Sequence, residues 1–272
     1  MKKIIAVNSN TYHGFSLEEA IRGTKEAGFN YIELTATKGW TEHVFPTMSL
    51  RELYEIEDQL IEAGITPITL SGHTNLMDND RLDDFIANIR LAHFFGCKYI
   101  ISSIGEAHLK DQAEASDQKV AENIKNLIPY LEEYNLTLGL ENHGKHGTAK
   151  QLKAIVDLID SERVLINYDT ANAIFYGEQG LDLETDLKAA VDQIGHIHLK
   201  DKAGAQDEWN FPALGRGDLD FKEIFEILEQ NNNTSPLSIE IEFTKAGPAD
   251  LAEVNQAVKD SYNYLQELGI EF

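Results

Sequence analysis

The feature that most restricts this 272-residue chain is a repeated alternation of short apolar runs with longer segments whose apolar residues fall at helical spacing. Eight runs read as strands, over residues 3–8, 31–35, 66–71, 99–103, 137–141, 164–169, 195–200 and 237–242. Runs this uniformly apolar suit strands buried on both faces, as in a parallel sheet. Between them the spacing predicts helices over 16–27, 49–63, 81–95, 119–134, 149–159 and 221–230. The punctuation agrees. Ser16 and Ser49 are each followed three residues later by Glu, the reciprocal cap of a helix start. Gly28, Gly64 and Gly96 stand between a helix and the next strand, where a left-handed residue ends the helix.

Eight strands, each followed by a helix, predict an α/β fold of the (β/α)8 TIM-barrel type, a parallel eight-stranded barrel. An open, doubly wound sheet competes, but it usually carries a Gly-rich turn after its first strand. Here that turn reads Asn8-Ser9-Asn10-Thr11-Tyr12-His13-Gly14. No linker or low-complexity tract interrupts the pattern, so residues 1–272 read as a single barrel domain.

Composition narrows the function. A net charge of -23 repels the phosphate backbones that nucleic-acid binding has to neutralise, and no Lys/Arg cluster offsets it. One cysteine, Cys97, excludes a disulfide framework and a thiolate metal cluster. No apolar run approaches membrane-spanning length, and the one at residues 4–7 is too short for a signal peptide. The expectation is a cytoplasmic protein with small-molecule partners, neither nucleic acid nor membrane.

Active sites of such barrels lie at the C-terminal ends of the strands, and polar residues concentrate there. The fifth strand ends Glu141-Asn142-His143-Gly144 and the sixth Asp169-Thr170-Ala171-Asn172. The seventh reads His196-Ile197-His198-Leu199-Lys200-Asp201, and the eighth contains Glu240 and Glu242. Residues two apart on a strand share a face, so His196, His198 and Lys200 point the same way. His198 lies nearer the strand end and is the better ligand; His196 reads as a core histidine beneath the site. Carboxylates crowded into a barrel mouth repel one another, and a bound divalent cation resolves that. An oxygen-rich set with one nitrogen suits Mn²⁺ or Mg²⁺ and allows Co²⁺ or Zn²⁺. Each member also has a plainer role, Asp169 as a helix cap for instance. Periodicity does not choose between Glu240 and Glu242.

These motifs, Gly139-Leu140-Glu141-Asn142-His143-Gly144, Tyr168-Asp169-Thr170-Ala171-Asn172, His196 to Asp201 and Leu237-Ser238-Ile239-Glu240, resemble those of the xylose-isomerase-like TIM barrels. That superfamily of sugar phosphate isomerases and epimerases includes ketose 3-epimerases and hydroxypyruvate isomerases. The resemblance implies metal ligands at Glu141, Asp169, His198 and Glu240, with Glu141 and Glu240 also serving as catalytic acid and base. It implies a metal-dependent isomerase or epimerase acting through an enediolate, and a homodimer or homotetramer. The chain departs from the epimerases at Asn172, where they place a substrate-binding His.

Asn10, His73, His143, Asn172 and Lys200 are the candidates for binding the hydroxyls of a sugar or sugar phosphate. Gly215-Arg216-Gly217-Asp218 lies after the seventh strand, where barrels often bind phosphate. Two alternatives stay open: an inosose-type dehydratase, which begins with the same proton abstraction, and a sugar-binding barrel without turnover. The related apurinic-site nucleases need a three-metal cluster with more histidines, and the fourth strand's end, Ile101-Ser102-Ser103-Ile104-Gly105, supplies none.

Overall fold

The helix starts are built as the sequence spells them. Ser16 accepts from the Glu19 N–H at 3.2 Å while the Glu19 carboxylate accepts from the Ser16 N–H at 2.8 Å; Ser49 and Glu52 repeat the arrangement. Gly28, Gly64 and Gly96 follow helices with φ of 111°, 63° and 70°. Glycine takes this conformation without a Cβ penalty, and each turns the chain into the next strand. The computed structural model describes residues 2–106, 108–109 and 113–272.

In chain order the elements are β1 (Ile5–Asn8), α1 (Leu17–Ala27), β2 (Tyr31–Thr35), α2 (Leu50–Ala63), β3 (Thr66–Ser71), α3 (Leu82–Phe94) and β4 (Tyr99–Ser103). Then come α4 (Asp117–Lys125), α5 (Ile128–Glu133), β5 (Thr137–Glu141), α6 (Ala149–Ile159), β6 (Val164–Asp169), α7 (Thr170–Tyr176), α8 (Leu183–Ala190) and β7 (Ile194–Leu199). The chain finishes with β8 (Asn210–Phe211), α9 (Phe221–Gln230), β9 (Leu237–Ile239), β10 (Phe243–Thr244) and α10 (Leu251–Glu267). Strands β1 to β7 and β9 form a closed parallel barrel in that order, with β9 pairing back onto β1. This is the expected (β/α)8 architecture.

Several expected boundaries move. The helix expected over 119–134 is two helices, with Pro129 in the first turn of α5, where its missing N–H costs nothing. The last barrel strand stops at Ile239 rather than 242, leaving Glu240 just past the ladder. The first begins at Ile5 rather than 3, and the seventh spans Ile194–Leu199 rather than 195–200. The helices expected after the sixth and eighth strands, given no range from the sequence, are α7 with α8, and α10, while the antiparallel pair β8–β10, with Phe243 opposite Phe211, was not anticipated. Phe243 turns into that pair at φ 58°, a strained value for a residue with a Cβ. Among the described residues, no helix is long and apolar enough to cross a membrane.

Inside the barrel the inward faces are unusually polar. One layer joins Thr69, Asn167, His196 and Ser238: His196 meets Thr69 Oγ1 at 3.1 Å, Ser238 Oγ at 3.3 Å and Asn167 Oδ1 at 2.8 Å. Gly139 lies on the Glu141 face of β5. A Cβ there would come within 2.6 Å of Ile101 and 3.1 Å of Asn167, so its absence makes room for this layer.

Candidate metal centre

One layer above His196, the ends of β5, β6 and β7 and the residue after β9 bring Glu141, Asp169, His198 and Glu240 together. One ligand-type atom from each lies within 4.8 Å of all the others, and all four residues are buried. Glu242 is outside this set and pairs with Lys200 at 2.5 Å.

The details favour a cation among these four. Asp169 does cap α7, its Oδ1 accepting from the N–H groups of Ala171 and Asn172 at 3.0 and 2.8 Å. That occupies one oxygen only; Oδ2 is buried without a hydrogen-bond partner among the described residues. His198 Nε2 lies 2.9 Å from Glu33 Oε1. An ionised carboxylate only accepts, so Nε2 carries the proton and Nδ1 faces Glu141, Glu240 and Asp169 at 2.7, 3.6 and 3.9 Å. Nδ1 has no partner in hydrogen-bond geometry among the described residues. A lone pair aimed among three carboxylates needs either a proton or a cation. Without a metal, burial opposes the imidazolium, but Glu33 and Glu141 outweigh it and hold His198 well above its ordinary range. The donor set and the two orphaned atoms fit a divalent ion held by Glu141, Asp169, His198 and Glu240.

Charge says the same. Glu33, Glu141, Asp169, Glu240 and Glu242 are all buried or nearly so, with Lys200 as the lysine among them. Lys200 Nζ sits 3.3 Å from Glu240 and 3.7 Å from Asp169, and 4.7 Å over the Phe211 ring. Burial lifts Asp169 to about 8, Lys200 opposing and Glu141 and Glu240 adding to the rise. Burial also raises Glu141, but the facing imidazoles of His73 and His198 outweigh it and hold the group below its usual range.

The five other candidates, Asn10, His73, His143, Asn172 and Lys200, line the same small cavity of about 30 Å³ with Glu141 and Glu240. Asn10, however, is fully engaged. Its Nδ2 donates to Glu240 at 3.0 Å and Glu242 at 3.4 Å, and its Oδ1 accepts from Trp40 and Thr41. Four bonds exhaust a carboxamide, so Asn10 holds Glu240 in place and has no group left for a ligand. His73 accepts the Ser103 N–H on Nδ1 at 2.9 Å, which leaves Nε2–H facing Glu141 Oε2 at 3.8 Å. Burial lowers His143 to about 4, against the pull of Glu141, and its Nε2 meets the Tyr176 hydroxyl at 3.0 Å.

Sequence reasoning missed Glu33, Trp40, His108, Tyr176 and Trp209. A lone Glu between Ile32 and Leu34 was the available signal for Glu33. The phosphate expectation at 215–218 meets a different use. Asp201 accepts from the N–H groups of Lys202, Gly215, Gly217 and Leu219 at 2.8, 2.9, 2.8 and 3.3 Å. A Cβ on Gly217 would fall 2.3 Å from Asp201, and Arg216 reaches Asp260 at the surface. The nest already holds an internal anion.

This barrel, with its site at the C-terminal rim, has known relatives. The model of the xylose isomerase-like TIM barrel family matches residues 21–268, and the chain belongs to that family. It is similar to an inosose dehydratase of Clostridium tetani (strain Massachusetts / E88), 28% identical over 165 residues, which are 54% of this chain and 53% of the relative. The chain thus spans about half the length of the inosose dehydratases it matches. Two solved structures superpose along the whole barrel. A D-psicose 3-epimerase in the presence of D-fructose has TM-score 0.77 at 16% identity, covering 98% of this chain and 99% of its own. The IOLI protein with a bound zinc atom has TM-score 0.76 at 18% identity, covering 100% and 99%. At such identities the likeness establishes the shared fold.

Proposed function

We propose that this chain is a divalent-metal-dependent isomerase or epimerase that moves a proton at the carbon beside a sugar's carbonyl. The observation that carries this reading is the pair of orphaned atoms, Asp169 Oδ2 and His198 Nδ1, converging with Glu141 and Glu240. Those four residues would hold the ion. Mn²⁺ is the first choice for an oxygen-rich set, with Mg²⁺, Co²⁺ and Zn²⁺ next, zinc being the ion in the IOLI structure. Bound there, it supplies Lewis-acid polarisation of the carbonyl oxygen.

Glu141 and Glu240 reach the cavity from strands separated by β6 and β7. One takes the proton from carbon, and the same or the other returns it. Return to the opposite face gives an epimer; return to the neighbouring carbon interconverts aldose and ketose. The Nε2–H of His73 and the ammonium of Lys200 are donors to substrate oxygens, and Asn172 and His143 complete the polar wall. Trp40 and His108, stacked on each other, line one side of this cavity.

A dehydratase is the second reading. It is favoured by the inosose dehydratase relatives. Incubation with ketoses and inososes in D₂O under metal-replete conditions separates the readings. Deuterium beside the carbonyl together with a new epimer or isomer supports the first. Dehydrated product from a polyol ketone, with no epimer from any ketose, replaces it by the second. Metal binding without exchange across the panel contradicts both in favour of a binding barrel.

A further inference from the structure

The mouth has a second compartment. Beside the inner cavity of about 30 Å³ lies an outer chamber of about 450 Å³, the scale of a small-molecule site. The two share Asn10, Trp40, Trp209 and Glu242 as walls, so they form one space narrowed at a neck. The chain contains two tryptophans, and both stand at this neck.

Their settings differ. Trp40 is sandwiched between His13 at 4.0 Å and 9° and His108 at 4.6 Å and 7°, with its N–H on Asn10 at 3.0 Å. Both faces are covered, so it acts as a rigid post. Trp209 makes edge-to-face contacts with Phe175 at 5.8 Å and Phe211 at 5.1 Å, and no stacked ring covers it among the described residues. It has a face to offer. It immediately precedes β8, and β10 with the chain beyond it forms the far wall through Thr244, Ala246 and Pro248.

We propose that the outer chamber is a subsite for a second pyranose ring, joined by a glycosidic bond to the carbonyl sugar whose reacting end enters the inner cavity. This rests on the carbonyl-sugar reading of the inner site. The inner cavity, about 30 Å³ against about 450 Å³ outside it, is too small for a whole sugar, so only the reacting end of a substrate fits beside the carboxylates. The rest has to pass the neck into a chamber with an aromatic platform and the hydroxyls of Thr11 and Thr244. An indole face is large, apolar and rigid, and matches the C–H face of a pyranose. A terminal phosphate suits the chamber poorly. Among the described residues the lining contains no arginine and one lysine, Lys245, which is exposed.

The test is calorimetric titration of the Mn²⁺-loaded protein with D-fructose and with lactulose and isomaltulose, ketoses bearing a pyranose on O4 or O6, alongside deuterium exchange on each. The two-ring ketoses are expected to bind at least about tenfold more tightly than fructose. Trp209→Ala should bring that ratio close to one. Ala246→Phe, at an exposed position where folding is not at risk, should do the same by filling the chamber. Equal affinity for one-ring and two-ring ketoses overturns the subsite while leaving the inner site intact. A preference that survives both substitutions overturns its location. Neither binding nor exchange with any of the three sugars overturns the underlying reading, and the subsite with it.

Discussion

Two adjacent layers of the barrel interior share β6, β7 and the β9 arm and each centre on a histidine, yet the histidine of one is fully partnered and that of the other is not. In the lower layer His196 meets Thr69, Asn167 and Ser238 and is a neutral imidazole, pushed well below its ordinary range by burial and the neighbouring His198. In the upper layer, two residues along, His198 is held well above that range by carboxylates, and its Nδ1 and Asp169 Oδ2 lack hydrogen-bond partners. Burial is the same in both. The difference is completeness: buried polar groups are ordinarily satisfied, so the layer with convergent orphans is the one built around something else.

The contrast is broken most severely at Glu141. Glu141→Gln keeps the shape and removes the base, so proton exchange should fall by about 10²–10⁴-fold with little change in melting temperature. Unchanged deuterium incorporation would take Glu141 out of the chemistry. Next comes Glu33, which orients His198 from behind. Glu33→Gln should weaken metal affinity by about 10–100-fold, read by calorimetry with Mn²⁺. An unaltered Kd would mean that His198 is positioned without it. The lower layer should respond in the opposite sense. His196→Leu strands three buried partners and should cost about 1–3 kcal/mol of stability in denaturant melts, with metal affinity kept.

Much of this contrast was legible in the sequence, and the part that was not has physical reasons. The strand ends announced Glu141, Asp169 and His198 because a barrel puts chemistry at one rim. Nearness to the strand end even separated His198 from His196, although the two share a face. Periodicity gave no choice between Glu240 and Glu242, because the choice depends on the β9 ladder ending at Ile239. Glu33 was hidden as a single acid in an apolar strand, a pattern that usually means an ion pair. The β8–β10 pair joins two dipeptides about thirty residues apart, and Trp40 and Trp209 sit in loops. Non-local pairings of that kind leave no local signal.

The smallest expected effect concerns the cover over the upper layer. Burial, with His73 and His143 adding to it, lowers His108 to about 3 where it stacks on Trp40. A folded-state value below the ordinary one of about 6.5 means the neutral ring is favoured in the stack. The stabilisation is therefore complete above about pH 6.5 and is lost progressively as pH falls toward 3. In a Trp209→Phe background, Trp40 emission of the folded protein should stay flat from pH 8 to about 4 and change only as pH approaches 3. A transition centred at 6.5 would mean that the stack does not perturb His108.

The central claim is that the upper layer holds a divalent ion and the lower one does not. Anomalous diffraction from crystals grown with Mn²⁺ tests it directly. The prediction is one peak within coordinating distance of oxygens of Glu141, Asp169 and Glu240 and of His198 Nδ1. An empty upper layer at saturating metal, or a peak among Glu33, His196 and His198 instead, would contradict it.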